Sequence, residues 1–321
     1  MQVLRFSTLA VFLAGSSFAQ AETIYVSNEQ DNTVSIIDGS SLQVTRTIAV
    51  GRRPRGLALS RDSKKLFVAV GDDNRIDIVD LESRQAEGSI PSGSDPEFFA
   101  VHPDGKRLFI ANEDDNQVSI VDLQENTIAQ EIEVGVEPEG VGVSHDGRMA
   151  VATSETTSMI HVIDTESLEL IDNVLVDTRP RAVQFSSDDK QIWVSSELRG
   201  TVSVYDSATR EPLAKVHFEI PGVSRELVQA VGIQLSPDGS RAYVALGPAN
   251  RVAEIDAKTF KVLRMYLVGQ RVWHIALSSD GKRLYTANGN SSDVTVIDLE
   301  QQTPVKSIGV GRSPWGIVVG P

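Results

Sequence analysis

The chain has 321 residues, no cysteine, 6% aromatic and 40% hydrophobic residues, a composition for a packed globular protein rather than a disordered one. Its 44 acidic and 30 basic side chains give a formal net charge of −14, a surface that repels nucleic acid and anionic lipid. The missing cysteines exclude disulfides, thiolate metal sites, covalent haem attachment and a cysteine nucleophile.

Residues 1–21 read as a signal peptide. Arg5 is their only charged side chain, an apolar run covers Leu9 to Leu13, and Ala19-Gln20-Ala21 fits a small-residue cleavage site. That run is too short to span a bilayer. The expectation is an exported, unanchored mature chain from Glu22, with 29 basic against 44 acidic side chains, or −15.

From there a repeat governs the chain. A short β-branched strand ends in Asp at Asp38, Asp80, Asp122, Asp164, Asp206, Asp256 and Asp298, at intervals of 42, 42, 42, 42, 50 and 42 residues. A period near 42 with four strand-like runs per unit is the blade of a β-propeller. One unit reads Gly56–Ser60, Leu66–Val70, Ile76–Asp80 and Ala86–Ile90 as strands a to d. Asp-Gly turns between a and b recur at Asp104, Asp146, Asp238 and Asp280, where a tight turn needs positive φ. Strand a alternates bulky residues with a small or polar column: Ala58, Ala100, Gly142, Gln184, Gln234, Ala276 and Val318. The mature chain opens on a strand b (Ile24–Ser27) and ends on an extra strand a (Gly316–Val319). The fold class is therefore all-β: a seven-bladed propeller of four-stranded antiparallel blades over residues 22–321, closed by its C-terminal strand.

In such blades the d–a connections and b–c hairpins share one face, and here they vary, which marks a binding face. One column of the d–a connections places Arg55, Glu97, Glu139, Arg181, Val231, Trp273 and Trp315 at the mouth of the central channel, with His274 after Trp273. Two readings stand. Arg and Glu neutralise one another while the Trp rings plug the channel, or Trp stacks and Arg pairs with a planar anionic ligand. The hairpins add Glu29, Glu113, Asp114, Asp115, Glu155 and Glu197, read as surface acidity spread over separate blades rather than as a cation site. The 50-residue interval holds an insertion at Phe218–Gln229, a lid or a plain loop.

No G-x-S-x-G elbow, P-loop or H-E-x-x-H occurs, and only His274 of the five histidines approaches the mouth, so no catalytic residue is assigned.

The motifs YVSN at Tyr25–Asn28, FIAN at Phe109–Asn112 and YTAN at Tyr285–Asn288 resemble the YVTN class of propellers. Longer segments, among them NEDDNQVSIVD (Asn112–Asp122), FEIPGV (Phe218–Val223) and VGQRVWHIALS (Val268–Ser278), resemble the propeller family associated with pyrroloquinoline-quinone-dependent catabolism. That resemblance implies a periplasmic protein of alcohol catabolism, beside a quinoprotein dehydrogenase, its cytochrome partner or a transport component. It supplies no catalytic residues. The resulting expectation is a monomeric, non-enzymatic binding or scaffold propeller, with pyrroloquinoline quinone or calcium as candidate ligands. A lactonase-like hydrolase using the mouth carboxylates is the alternative, on fold analogy alone.

Overall fold

The computed structural model describes residues 22–321; the signal-peptide reading of 1–21 lies outside them. The described residues form seven four-stranded antiparallel sheets. Blade 2 is typical: strand a Pro54–Leu59, b Lys65–Val70, c Arg75–Asp80 and d Gln85–Pro91. Strand a begins two residues earlier than the sequence suggests, because Pro54 pairs with Val70 before a bulge shifts the register by Leu57. Blade 1 joins the two ends of the chain. Its strands b, c and d are Thr23–Asn28, Thr33–Asp38 and Gln43–Ala49, and its innermost strand is Pro314–Gly320. The register runs from Thr23 opposite Gly320 to Asn28 opposite Pro314.

The local causes repeat with the blades. Each Asp that ends strand c accepts backbone N–H bonds from residues two or three positions on, as Asp38 does from Ser40 and Ser41 and Asp298 does from Gln301. The repeat's most regular residue is thus the cap of the c–d turn. The Asn closing the YVTN-like motif straps its own b–c hairpin from inside: Asn28 Nδ2 donates to Ser35 Oγ at 2.9 Å, and Asn112 to Ser119 at 2.8 Å. Gly105, Gly147, Gly239 and Gly281 adopt φ of 67–75° in the a–b turns, a backbone region open to glycine without a Cβ clash.

The core is distributed between blades. Ile24, Val26 and Ile37 of blade 1 pack on Tyr285, Val294 and Val296 of blade 7, and six further clusters fill the other gaps. At roughly 1.5–3 kcal/mol for each fully buried large apolar side chain, every blade depends on both neighbours. Strand a of blades 3 to 7 (Pro96–Val101, Pro138–Val143, Pro180–Phe185, Ile233–Leu235, Val272–Leu277) faces the axis and positions the channel residues. The insertion at Phe218–Gln229 is anchored at both ends, with Phe218 and Val228 buried between blades 5 and 6. No helix among the described residues is long and apolar enough to cross a membrane.

Candidate functional site

The second residue of strand a points toward the axis in each full-length blade, and the residue two positions earlier sits above it with positive φ at Arg53, Asp95, Glu137, Arg179 and Arg271. The two columns form a double ring in which many bonds join one repeat to the same position in the next. Arg55 donates to Glu97 at 2.9 Å, Gln229 accepts from Arg271 at 2.5 Å, Arg53 pairs with Asp95, and Arg181 pairs with Glu139. Each of these pairs is 42 residues apart.

The hairpin carboxylates join the same network, against the expectation that blade spacing would separate them. Glu29 meets Arg55 at 3.1 Å. Glu155 meets Arg181 at 2.7 Å and Arg179 at 2.6 Å. Glu197 meets Arg181 at 2.8 Å, Arg271 at 3.0 Å and Arg179 at 3.3 Å. The arginine stems bridge the blade gaps, so carboxylates on different hairpins meet on one guanidinium. Asp114 and Asp115 alone of the six stay exposed.

Five guanidiniums (Arg53, Arg55, Arg179, Arg181, Arg271) therefore face eight carboxylates (Glu29, Asp72, Asp95, Glu97, Glu113, Glu139, Glu155, Glu197), of which Asp72 is exposed. Carboxylates outnumber guanidiniums, and like charges placed close together disfavour one another's ionisation. Burial pushes Glu97 up to about 8, helped by the Glu139 charge and opposed by Arg55 and Arg53. Burial and Glu139 likewise push Glu155 up to about 8 and raise Glu113. Burial opposes ionisation of Glu197 too, yet Arg181, Arg179 and Arg271 hold it below the usual carboxylate range.

The aromatic side closes the channel. His274 stacks on Phe98 with centroids 5.5 Å apart and lies 4.1 Å from the Trp315 ring. Burial lowers it to about 4, so it is neutral. Arg55 sits over Trp315 at 5.1 Å, and Trp273 is flanked by Arg271 at 4.0 Å and Arg181 at 5.7 Å. The cavity left among Phe98, Glu139, Arg181, Trp273, His274 and Trp315 measures about 50 Å³, room for one or two waters. Both arginines expected to meet the carboxylates of a planar ligand are already paired with carboxylates of the chain. Asp95, Glu97 and Glu113 bring carboxylate oxygens within 4.8 Å of one another. The Arg53 guanidinium contacts both Asp95 and Glu97, the charge a calcium ion would otherwise supply.

A YNCE-like β-propeller family model matches residues 2–320. The chain belongs to that family. No curated protein sequence matches it. Among solved structures, hydrazine synthase from Kuenenia stuttgartiensis superposes on this YNCE-like propeller with a TM-score of 0.79 at 21% identity, over 86% of this chain and 92% of that one. A candidate 6-phosphogluconolactonase from Bacteroides fragilis gives 0.80 at 18% identity, over 95% and 99%. A protein of unknown function from Desulfotomaculum acetoxidans gives 0.79 at 14% identity, over 92% and 98%. At such identities the likeness is one of fold.

The expected mouth column is thus brought together in one cluster, with Val231 lining the central cavity beside Trp273. Sequence reasoning missed Arg53, Arg179 and Arg271. Their signal was a second charged column two residues ahead of the first, with the same 42-residue spacing.

Proposed function

We propose that this YNCE-like propeller is an exported, non-catalytic binding protein of pyrroloquinoline-quinone-dependent alcohol oxidation, docking a protein partner on the face of its d–a connections and b–c hairpins. The partner class is a quinoprotein dehydrogenase, its cytochrome or an associated transport component; the segment resemblances support that pathway. The observation carrying the binding reading is the self-neutralised mouth. Arg55 and Arg181 are engaged by carboxylates of the same chain, and His274 is buried and neutral. The ring thus works as a rigid floor. Around it, Val136, Leu198 and Leu227 are 43%, 59% and 45% exposed, in the connection before blade 4, the b–c hairpin of blade 5 and the insertion before blade 6. Apolar side chains beside surplus carboxylate suit a protein surface with a basic rim.

The test is capture of partners from the periplasm of alcohol-grown cells by the mature chain and by Leu198→Asp/Leu227→Asp. A dehydrogenase, cytochrome or transport component retained by the parent and lost by the double variant supports the reading. Retention of none of them refutes it. Turnover of small lactones that Glu139→Gln abolishes would replace it with the hydrolase reading.

A further inference from the structure

The channel is closed only from one side. Toward the a–b turns it widens into a vestibule of about 520 Å³, within the range of pockets that take compact organic ligands. Phe98 lines both this vestibule and the small cavity above it, so the aromatic plug is also the vestibule's roof. Two members of the small column of strand a, Ala100 of blade 3 and Gly142 of blade 4, line it. Val143, Val183, Phe185 and Leu235 make the rest of the wall apolar.

His145, Ser187 and Ser236 make its rim polar, and two glutamines interrupt the apolar wall within. Gln184 and Gln234 occupy the column that is otherwise Ala, Gly or Val, and both line the vestibule. One residue orients both amides. The backbone N–H of Leu235 donates to Gln184 Oε1 at 3.1 Å, and the Leu235 carbonyl accepts from Gln234 Nε2 at 3.2 Å. Each glutamine is thereby fixed in one sense. Among the described residues, no protein hydrogen bond engages Gln184 Nε2 or Gln234 Oε1, which stay open to solvent in the vestibule: one donor and one acceptor on adjacent blades. Polar groups in an apolar cavity favour a ligand that satisfies both, and penalise one that leaves either unpaired.

We propose that this vestibule is a binding site for a small, uncharged, largely apolar molecule carrying a secondary amide. The amide carbonyl accepts from Gln184, its N–H donates to Gln234, and the apolar part packs on Phe98 and the wall at Ala100 and Gly142. Full charges gain little, because the ion-pairing groups nearby are already engaged: His145 of the lining contacts Asp189 at 2.7 Å, and Arg181 and Glu139 of the adjoining cavity pair with each other. The site is on the face opposite the partner surface proposed above and does not depend on it.

The probe is N-methylbenzamide, with methyl benzoate as the ester of matching shape that lacks the N–H. Binding is followed by calorimetry and by the side-chain amide NMR signals of the two glutamines. The amide is expected to bind at least tenfold more tightly than the ester and to shift both glutamine signals. Gln184→Met and Gln234→Met each lose at least tenfold in affinity while melting within a few degrees of the parent, and Leu175→Asp, on the exposed outer strand of blade 4, binds like the parent. Should either Met variant fail to fold, Ala100→Leu, which adds bulk to the wall, is expected to abolish binding. Equal affinity for amide and ester, no amide binding up to its solubility limit, or unaltered binding by the folded variants would overturn the proposal.

Discussion

Arg181→Met tests the logic of the channel mouth. The substitution keeps most of the apolar stem and removes a guanidinium that meets Glu139, Glu155 and Glu197, whose side chains are 5%, 2% and 4% exposed. Arg179 still reaches Glu155 and Glu197, and Arg271 still reaches Glu197. Glu139 is the residue stranded: Arg181 is its one ion-pair partner among the described residues. Leaving a buried charge without its partner costs about 3–5 kcal/mol, which for a chain of this size lowers the melting midpoint by on the order of 10 °C. Adding Glu139→Gln removes the stranded charge, so the double variant is expected to regain more than half of the loss. Urea titration with fluorescence detection, backed by thermal melts, measures both. A single variant within about 1 kcal/mol of the parent, or a double variant no more stable than the single, refutes the idea that the ring is held by mutual neutralisation.

Other expectations follow from the same architecture. Deleting residues 312–321 removes the innermost strand of blade 1 with its buried Trp315 and Ile317; the melting midpoint is expected to fall by more than about 10 °C, and a truncated chain that melts like the parent would contradict ring closure. Gly140→Ala places a methyl 2.0 Å from the Arg181 carbonyl oxygen, a backbone clash expected to cost about 1–3 kcal/mol in denaturant titration. Stability should also fall as pH rises. Glu97 and Glu155 are pushed up to about 8 in the fold, against 4.5 for a free glutamate side chain, so between these values the unfolded chain sheds protons that the native chain keeps, and unfolding is favoured. Melting midpoints measured from pH 5 to pH 8.5 should therefore decline, and in Glu97→Gln/Glu155→Gln the decline should be smaller.

The fold was legible because its strongest signals are local and repeated. Asp38 and its six counterparts cap turns within three residues of themselves, and Asn28 bonds within its own hairpin; such contacts survive in a linear reading. Ring closure was legible from phase alone, since the chain starts with a strand b and ends with a strand a. The mouth was half legible. Its residues could be found by alignment to the period, but their pairing depended on arginine reach across blade gaps. Glu155 and Glu197 were therefore read as separate surface acids when they share Arg181. The insertion shows the same limit: its length was plain, whereas the burial of Phe218 and Val228 depends on a gap between blades 5 and 6 that no local pattern describes.

The pairing of Thr23–Asn28 with Pro314–Gly320 also dictates an order of assembly. A chain made or threaded from its N-terminus presents the Thr23–Asn28 strand first and must hold that edge unpaired until almost the last residue has arrived. Blades 2 to 7 can each collect their four strands from a continuous stretch of about 40 residues, while blade 1 waits for contacts some 290 residues away. For that interval the open edge of blade 1 is the most adhesive part of the molecule. A helper that covers an exposed strand during folding would therefore find its target at this seam, the one inner strand position left open until the chain's end arrives.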